Sequence, residues 1–280
     1  MTCKAKDRDP GMLFRGREGF SYLRESLARK FRAVRLALSD LLFPPQCAVC
    51  GVPIAGEPFP YGMEVCANCR KELDWTDRPV CLRCGAFTTV SGRDAAHCPW
   101  CQPLQYAFDQ AICLGPYHEG LGQLILRLKR WPQPALVQVL VRLLLTQRKS
   151  RLVFNLEADA VVPVPRHWTA RLFGGLDHVA MIAEELAHYL GLPLRPKAVR
   201  RVRLGHPQRA MPLSKRFENA RLLYALGEGD FEGQHLVVVD DVITTGATAS
   251  VIAELLKKAG AKEVTAVAIA RAEGPGAVRQ

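Results

Sequence analysis

The chain has 280 residues, of which 49% are hydrophobic and 23% are charged, and its formal net charge is +11. No run of about 18 uncharged apolar residues is present, and no apolar secretory segment follows the first methionine, so we expect no membrane-spanning helix and a cytoplasmic location. The basic excess favours anionic partners such as phosphates or nucleic acid, with a solvated basic surface as the equal alternative.

Residues 1–43 form a basic N-terminal segment. Apolar side chains recur at steps of three and four from Phe20 to Leu42, which predicts an amphipathic helix ended by Pro44 and Pro45. A basic amphipathic helix could lie on a membrane or on nucleic acid. Such a helix more often packs its apolar stripe against its own domain, and we favour that interpretation.

Residues 44–105 contain four Cys-x-x-Cys pairs, which are typical of a small module held by metal. The pairs are Cys47 with Cys50, Cys66 with Cys69, Cys81 with Cys84, and Cys98 with Cys101. Fifteen residues separate the first two pairs and thirteen separate the last two, and both gaps suit a zinc ribbon. Two structural zinc ions are therefore expected. Sequential pairing is the simpler topology and interleaved pairing stays open, whereas the spacing does not fit an iron–sulfur cluster.

Residues 106–280 alternate predicted strands and helices, which predicts an α/β domain with a mainly parallel sheet and flanking helices. The predicted strands are Gln110–Leu114, Ala158–Pro163, Leu236–Val239 and Glu263–Ala270. The predicted helices are Leu121–Lys129, Ala135–Thr146, Leu176–Tyr189 and Ala247–Ala259.

The segment from Leu236 to Ser250 carries the clearest chemical pattern. An apolar strand leads to Asp240 and Asp241, and a Thr- and Gly-containing loop then opens a helix. Backbone N–H groups and threonine hydroxyls at a helix start can hold a phosphate, while adjacent carboxylates suit a ribose diol or a metal ion. This pattern predicts a site for a ribose 5-phosphate group.

The same segment resembles the phosphoribosyl pyrophosphate (PRPP) loop of type I phosphoribosyltransferases. The chain from about Leu41 resembles the ComF family, through Leu42–Gly51, Leu124–Lys129, Val162–Pro165, Arg201–Ser214 and Asp240–Thr248. The resemblance implies a type I phosphoribosyltransferase fold behind a double zinc ribbon, Mg²⁺ bound with PRPP, and a link to DNA uptake in natural competence. It implies a PRPP loop formed by Asp240, Asp241, Val242, Ile243, Thr244, Thr245, Gly246, Ala247 and Thr248, with both aspartates in catalytic roles.

Candidates for pyrophosphate binding come from the resemblance and from positive charge. They are Lys129, Pro165, Arg166, Arg201, Arg203 and Gln208. The stretch 195–216 is rich in arginine and lysine and contains no acid, so it could close over pyrophosphate as a lid or bind single-stranded DNA.

One segment departs from the family pattern. Where the family usually has Arg-Gly-Phe-Asn-Gln, this chain has Gly174-Gly175-Leu176-Asp177-His178. Asp177 and His178 could be site residues or could cap the following helix, and we favour the cap. Two functions follow: a Mg²⁺-dependent phosphoribosyltransferase, or a non-enzymatic competence factor that binds single-stranded DNA and uses PRPP or a nucleotide as an allosteric ligand.

Overall fold

The computed structural model describes residues 44–54, 65–87, 98–147, 157–166, 177–203 and 213–272. The helix predicted over Phe20–Leu42 and the candidate Gln208 lie outside these residues, as do Gly174, Gly175 and Leu176.

The described residues form six helices and six strands. The helices are α1 (Ala67–Glu72), α2 (Glu119–Arg130), α3 (Pro134–Thr146), α4 (His178–Leu190), α5 (Leu213–Leu223) and α6 (Ala247–Lys258). The strands are β1 (Gln110–Pro116), β2 (Ala160–Pro163), β3 (Val199–Arg201), β4 (Tyr224–Leu226), β5 (His235–Ile243) and β6 (Glu263–Arg271).

The main sheet has four strands in the order β1-β6-β5-β2, and every neighbouring pair is parallel. The two inner strands, β6 and β5, are almost entirely buried, as expected for apolar strands covered on both faces. The predicted α/β fold with a parallel sheet is confirmed. Strand β5 runs four residues past the predicted end at Val239, because its pairing with β6 continues as far as Ile243 and Arg271.

Local sequence explains the ends of the predicted helices. Asp177 caps α4 by accepting hydrogen bonds from the backbone N–H groups of Val179 and Ala180, at 3.1 and 3.2 Å. Gly191 ends the same helix in the left-handed conformation, with φ of 65°. Helix α3 begins with Pro134, which has no N–H to leave unpaired in the first turn.

Four elements were not predicted: the six-residue helix α1, the helix α5, and the antiparallel pair of β3 and β4. Each strand has only three residues, and α5 mixes polar and apolar positions without a clear stripe. Both β3 and the start of α5 lie in the basic stretch 195–216, which we had interpreted through its charge alone.

The cysteine-rich segment packs on both faces of the sheet. Cys47 and Cys69 belong to the core that α2, α3 and α4 form with Val237 of β5. Cys81 and Cys84 belong to the opposite core, which α6 forms with Val238. Successive residues of β5 point to opposite faces, so the one strand contacts both cores. The metal-binding segment and the sheet therefore share their hydrophobic interior.

Trp75 follows the first cysteine cluster and packs directly over Gly115 of β1. A Cβ atom at Gly115 would lie 2.5 Å from the indole ring, so only glycine fits. The backbone N–H of Trp75 also donates to the side-chain oxygen of Gln147, just beyond α3, at 3.3 Å. This contact fixes the first cluster to the edge of the sheet.

We expect Gly115→Ala to lower the free energy of unfolding by about 1–3 kcal/mol, because the indole must move out of a packed core. Gly120→Ala is the matched control, since no atom lies within 4 Å of a Cβ there and alanine favours the helix α2. Urea unfolding of both zinc-replete variants checks the difference. Equal stabilities would show that Trp75 does not require the glycine.

Candidate functional site: two cysteine clusters and a cleft at the end of the sheet

The eight paired cysteines form two clusters of four. Within each cluster the four sulfur atoms lie within 4.8 Å of one another. The members are Cys47, Cys50, Cys66 and Cys69 in the first cluster, and Cys81, Cys84, Cys98 and Cys101 in the second. Pairing is therefore sequential, which settles the alternative that the spacing left open.

The sulfur geometry fits zinc. The Sγ atoms of Cys50 and Cys66 are 3.8 Å apart, and those of Cys84 and Cys98 are 3.7 Å apart. Four thiolates about 2.3 Å from a tetrahedral ion are separated by about 3.8 Å, whereas a disulfide needs about 2.05 Å. Burial raises the pKa of Cys47, but the backbone N–H groups of Cys50 and Cys66 outweigh it and lower the value to about 7. Each cluster is a closed four-thiolate site with a structural role.

The predicted phosphate loop lies between β5 and α6. Gly246 has φ of 79° and precedes the first residue of α6. A Cβ atom there would lie 2.6 Å from the ring of Tyr106, so the position requires glycine for both conformation and space. The N-cap residue Gly246 has no side chain to cap α6, and the backbone N–H of Ala247 donates to the hydroxyl of Thr245 at 3.4 Å. The N–H groups of the next residues of the first turn point toward a ligand in the way typical of anion sites.

The two aspartates of β5 face opposite sides of the sheet and meet different partners. One oxygen of Asp241, Oδ2, lies 2.8 Å from Nζ of Lys129 on α2 and 2.6 Å from Nε2 of His178 on α4. Asp240 instead accepts a hydrogen bond from the backbone N–H of Asp241 at 2.9 Å. Asp241 therefore has two side-chain partners, while Asp240 faces the cleft beside α6 and β4.

The pKa values of the two carboxyls move apart for this reason. Burial and the neighbouring Asp241 carboxylate raise the pKa of Asp240 to about 8. Burial also opposes the charge on Asp241, but His178 and Lys129 outweigh it and lower that pKa to about 2. Adjacent carboxyls held in opposite protonation states near neutral pH are typical of functional sites.

An open cleft of about 300 Å³ lies at the carboxyl end of the sheet, where ligands bind in parallel α/β folds. Its lining residues are Lys129, Val164, Pro165, Arg166, His178, Val179, Arg201, Tyr224, Asp240, Asp241 and Thr248. Three cations and two carboxylates thus share one cleft with the start of α6.

Most of the predicted site residues converge here, and some do not. Lys129, Pro165, Arg166 and Arg201 line the cleft with Asp240, Asp241 and Thr248. Thr244 is exposed and Thr245 is half-buried in the loop, whereas Ile243 and Ala247 are buried behind it and Val242 is half-buried. Arg203 is exposed and does not line the cleft.

Two polar residues of the cleft were not among the predicted site residues. His178, for which we had left a site role open while favouring a helix cap, contacts Asp241, and its neighbour Asp177 is the cap. Tyr224 reaches the cleft on β4, where burial and Asp240 raise its pKa to about 12. The departure from the family pattern at Asp177 and His178 was the sequence signal for His178. No sequence pattern indicated Tyr224.

The fold and the site define a phosphoribosyltransferase-type α/β domain joined to a double zinc ribbon. Residues 38–105 match the double zinc ribbon domain family, and residues 172–280 match the phosphoribosyl transferase domain family. The chain is 30% identical over 212 residues to competence protein F of Haemophilus influenzae, covering 74% of this chain and 90% of that protein. The chain belongs to the ComF family of competence protein F.

Two further proteins are similar to this chain. The DNA utilization protein YhgH of Escherichia coli strain K12 is 29% identical over 235 residues, which cover 80% of this chain and 96% of that protein. The purine phosphoribosyltransferase of Pyrococcus horikoshii is 24% identical and covers 46% of this chain and 70% of its own, with a TM-score of 0.30, which is too low to bear on function. In the part of the chain that the structure describes, no helix has both the length and the hydrophobicity to cross a membrane.

The raised pKa of Asp240 predicts a pH-dependent cost to stability. Between its unfolded value near 4 and its folded value of about 8, the folded protein binds more protons at this residue, so stability falls as pH rises through this window. Asp240→Asn removes the cost. Without Mg²⁺ or phosphate ligands, we expect its Tm to exceed that of the wild type by a margin that grows from pH 5 to pH 8 and reaches a few degrees.

The exposed Asp77 supplies the control Asp77→Asn, whose margin over the wild type should not grow in the same way. Thermal unfolding followed by circular dichroism at several pH values measures both margins. A margin for Asp240→Asn that is constant with pH would contradict the raised pKa.

Proposed function

We propose that the cleft binds PRPP and that the protein transfers its phosphoribosyl group to a nitrogenous base. The observation that carries the proposal is the convergence of two carboxylates, three cations and an uncapped helix start in one cleft. These groups match the three parts of PRPP: a 5′-phosphate, a ribose diol and a pyrophosphate.

The loop 244–248 is our proposed site for the 5′-phosphate. Backbone N–H groups at the start of α6 offer donors to a dianion, and the hydroxyls of Thr245 and Thr248 lie in the same turn. The close packing of Gly246 against Tyr106 fixes the loop before a ligand arrives, which lowers the entropy cost of binding.

Asp240 and Asp241 are our proposed partners of the ribose hydroxyls. Asp241 is ionised and held in place by His178 and Lys129. Its carboxylate oxygens have further lone pairs, so they can accept a hydrogen bond from a ribose hydroxyl without moving. Asp240 is protonated for much of the time at neutral pH and becomes the better acceptor when a cation approaches. Mg²⁺ bound with PRPP would supply such a cation and would neutralise charge on the pyrophosphate.

Pyrophosphate departure is the step that the basic residues would assist. Arg166 and Arg201 line the cleft, and Lys129 is about one-third exposed beside Asp241. The C1′–oxygen bond breaks with its electron pair leaving on pyrophosphate, a bond from C1′ to the base nitrogen forms, and the base loses a proton. Positive charge around the leaving oxygens stabilises that transition state more than a strong base would.

The second candidate function is a non-enzymatic one, in which single-stranded DNA is the partner and PRPP or a nucleotide is an allosteric ligand. It is supported by the net charge of +11, by the basic stretch 195–216 and by relatives whose names refer to competence and DNA utilization. One observation favours this second function over the first. His178 stands where the family usually has an amide side chain, and its Nε2 already contacts the Asp241 carboxylate that the transferase would use for ribose.

Titration calorimetry of zinc-replete protein with Mg²⁺ and PRPP tests the shared claim. We expect micromolar binding by the wild type, weakened at least about 100-fold in Asp240→Asn/Asp241→Asn, because two hydrogen bonds to charged acceptors are lost. Asp77→Asn/Asp230→Asn neutralises two exposed carboxylates and should bind as the wild type does. Failure of the folded wild type to bind PRPP would rule out the transferase and would leave the DNA-binding function, with a nucleotide as its ligand, in front.

Turnover separates the two functions. Release of pyrophosphate that depends on an added base would establish the transferase. PRPP binding without release, together with DNA affinity that falls steeply with salt, would establish the competence factor.

A further inference from the structure

We infer that Arg271 is a positioning residue that makes the conformation of the phosphate loop depend on the second cysteine cluster. The inference deepens the proposed function, because it takes from that function the phosphate that the loop would bind. Arg271 is the last residue of β6, and it is only 1% exposed although it carries a full charge.

One side of the guanidinium group contacts the second cluster. Nε donates to the backbone carbonyl of Cys84 at 3.0 Å. The group also lies over the ring of Trp100, 5.2 Å from its centroid, and Trp100 stands between the ligands Cys98 and Cys101. Two of the four Cys-x-x-Cys turns of the chain thus meet at this one side chain.

The other side of the guanidinium group contacts the start of the phosphate loop. Nη1 donates to the carbonyl of Ile243 at 3.0 Å and also to the carbonyl of Thr244. Ile243 is the last residue of β5 and Thr244 is the first of the loop, directly before Thr245. The same nitrogen reaches the carbonyl of Ala272 at 3.1 Å.

The charge of Arg271 is also compensated from the cluster side. Among the described residues, no carboxylate lies within ion-pair distance of Arg271. A divalent zinc ion held by four thiolates retains net negative charge, and Cys84 brings that charge next to the guanidinium group. A buried cation needs such compensation, so loss of the cluster would leave Arg271 unstable in its present position.

The first cluster has a different connection to the cleft. The carbonyl of Val49, which lies between Cys47 and Cys50, accepts a hydrogen bond from Nη1 of Arg127 at 2.8 Å. Arg127 belongs to α2, the helix that carries Lys129, and not to the phosphate loop. The two clusters therefore provide a matched comparison: within the described part of the chain, the second cluster alone is bonded through one side chain to the loop.

Hydrogen exchange by mass spectrometry on the full-length protein tests this inference. We expect the amides of residues 243–250 to exchange at least about tenfold faster in Cys101→Ser, which removes one ligand of the second cluster, than in the wild type. The matched variant of the first cluster, Cys50→Ser, should leave that segment unchanged. Zinc content measured alongside confirms that each variant has lost the intended ion.

Arg271→Lys tests the side chain itself, because lysine keeps the charge but cannot reach all four carbonyl groups and the ring together. We expect the same faster exchange at 243–250, with little change in the amides of helix α3. We also expect the affinity for ribose 5-phosphate to fall about tenfold. Arg221→Lys, at an exposed arginine paired with Glu254, is the control and should match the wild type. Should Arg271→Lys fail to fold, Trp100→Leu removes the ring contact, keeps an apolar side chain against the core and leaves the hydrogen bonds of Arg271 in place, so it should give a smaller change in the same direction.

The inference would be overturned if the amides of 243–250 exchange at the wild-type rate both in Cys101→Ser and in Arg271→Lys. If Arg271→Lys does not fold, Trp100→Leu takes its place in this comparison. The exchange experiment needs no ligand, so it stands apart from the proposed function. A wild type that binds neither PRPP nor ribose 5-phosphate would defeat the proposed function, while the exchange rates would still decide whether the second cluster controls the loop.

Discussion

The buried carboxylate of Asp241 is the interaction on which the candidate site depends. It joins three elements that are distant in sequence, because Lys129 lies on α2, His178 begins α4 and Asp241 itself lies on β5. Breaking a buried ionic contact of this kind leaves an uncompensated charge, so the three elements are constrained together. The same contact keeps Asp241 ionised, while burial and then repulsion from the Asp241 carboxylate raise the pKa of Asp240 to about 8. Structure and chemistry at this edge of the sheet therefore have one cause.

The cysteine clusters extend this constraint to both faces of the sheet. Each cluster packs into the core on its own side, and each offers one backbone carbonyl to an arginine of the α/β domain: Val49 to Arg127, and Cys84 to Arg271. Through α2 the first arginine supports the wall that carries Lys129, and the second holds the start of the phosphate loop. Four-thiolate zinc sites contribute folding free energy without taking part in chemistry, and here that contribution reaches the two sides of the cleft.

The sequence predicted what short-range patterns encode. Cys-x-x-Cys spacing indicated two zinc sites, and the apolar strand before Asp240 and Asp241 indicated a ligand site at its end. It did not predict contacts that tertiary packing creates. The role of His178 depends on α4 facing β5, and Tyr224 enters the cleft only because the three-residue β4 pairs with β3. Arg271 resembled any basic residue at a strand end, since its partners at Cys84 and Ile243 lie 187 and 28 residues away.

A crystal structure of the zinc-replete protein with Mg²⁺ and PRPP would test the central claim most directly. The account predicts a 5′-phosphate within hydrogen-bonding distance of the backbone N–H groups of 245–248. It also predicts ribose hydroxyls on Asp240 and Asp241, with pyrophosphate facing Arg166 and Arg201. A PRPP molecule bound elsewhere, with no contact to either aspartate, would contradict it.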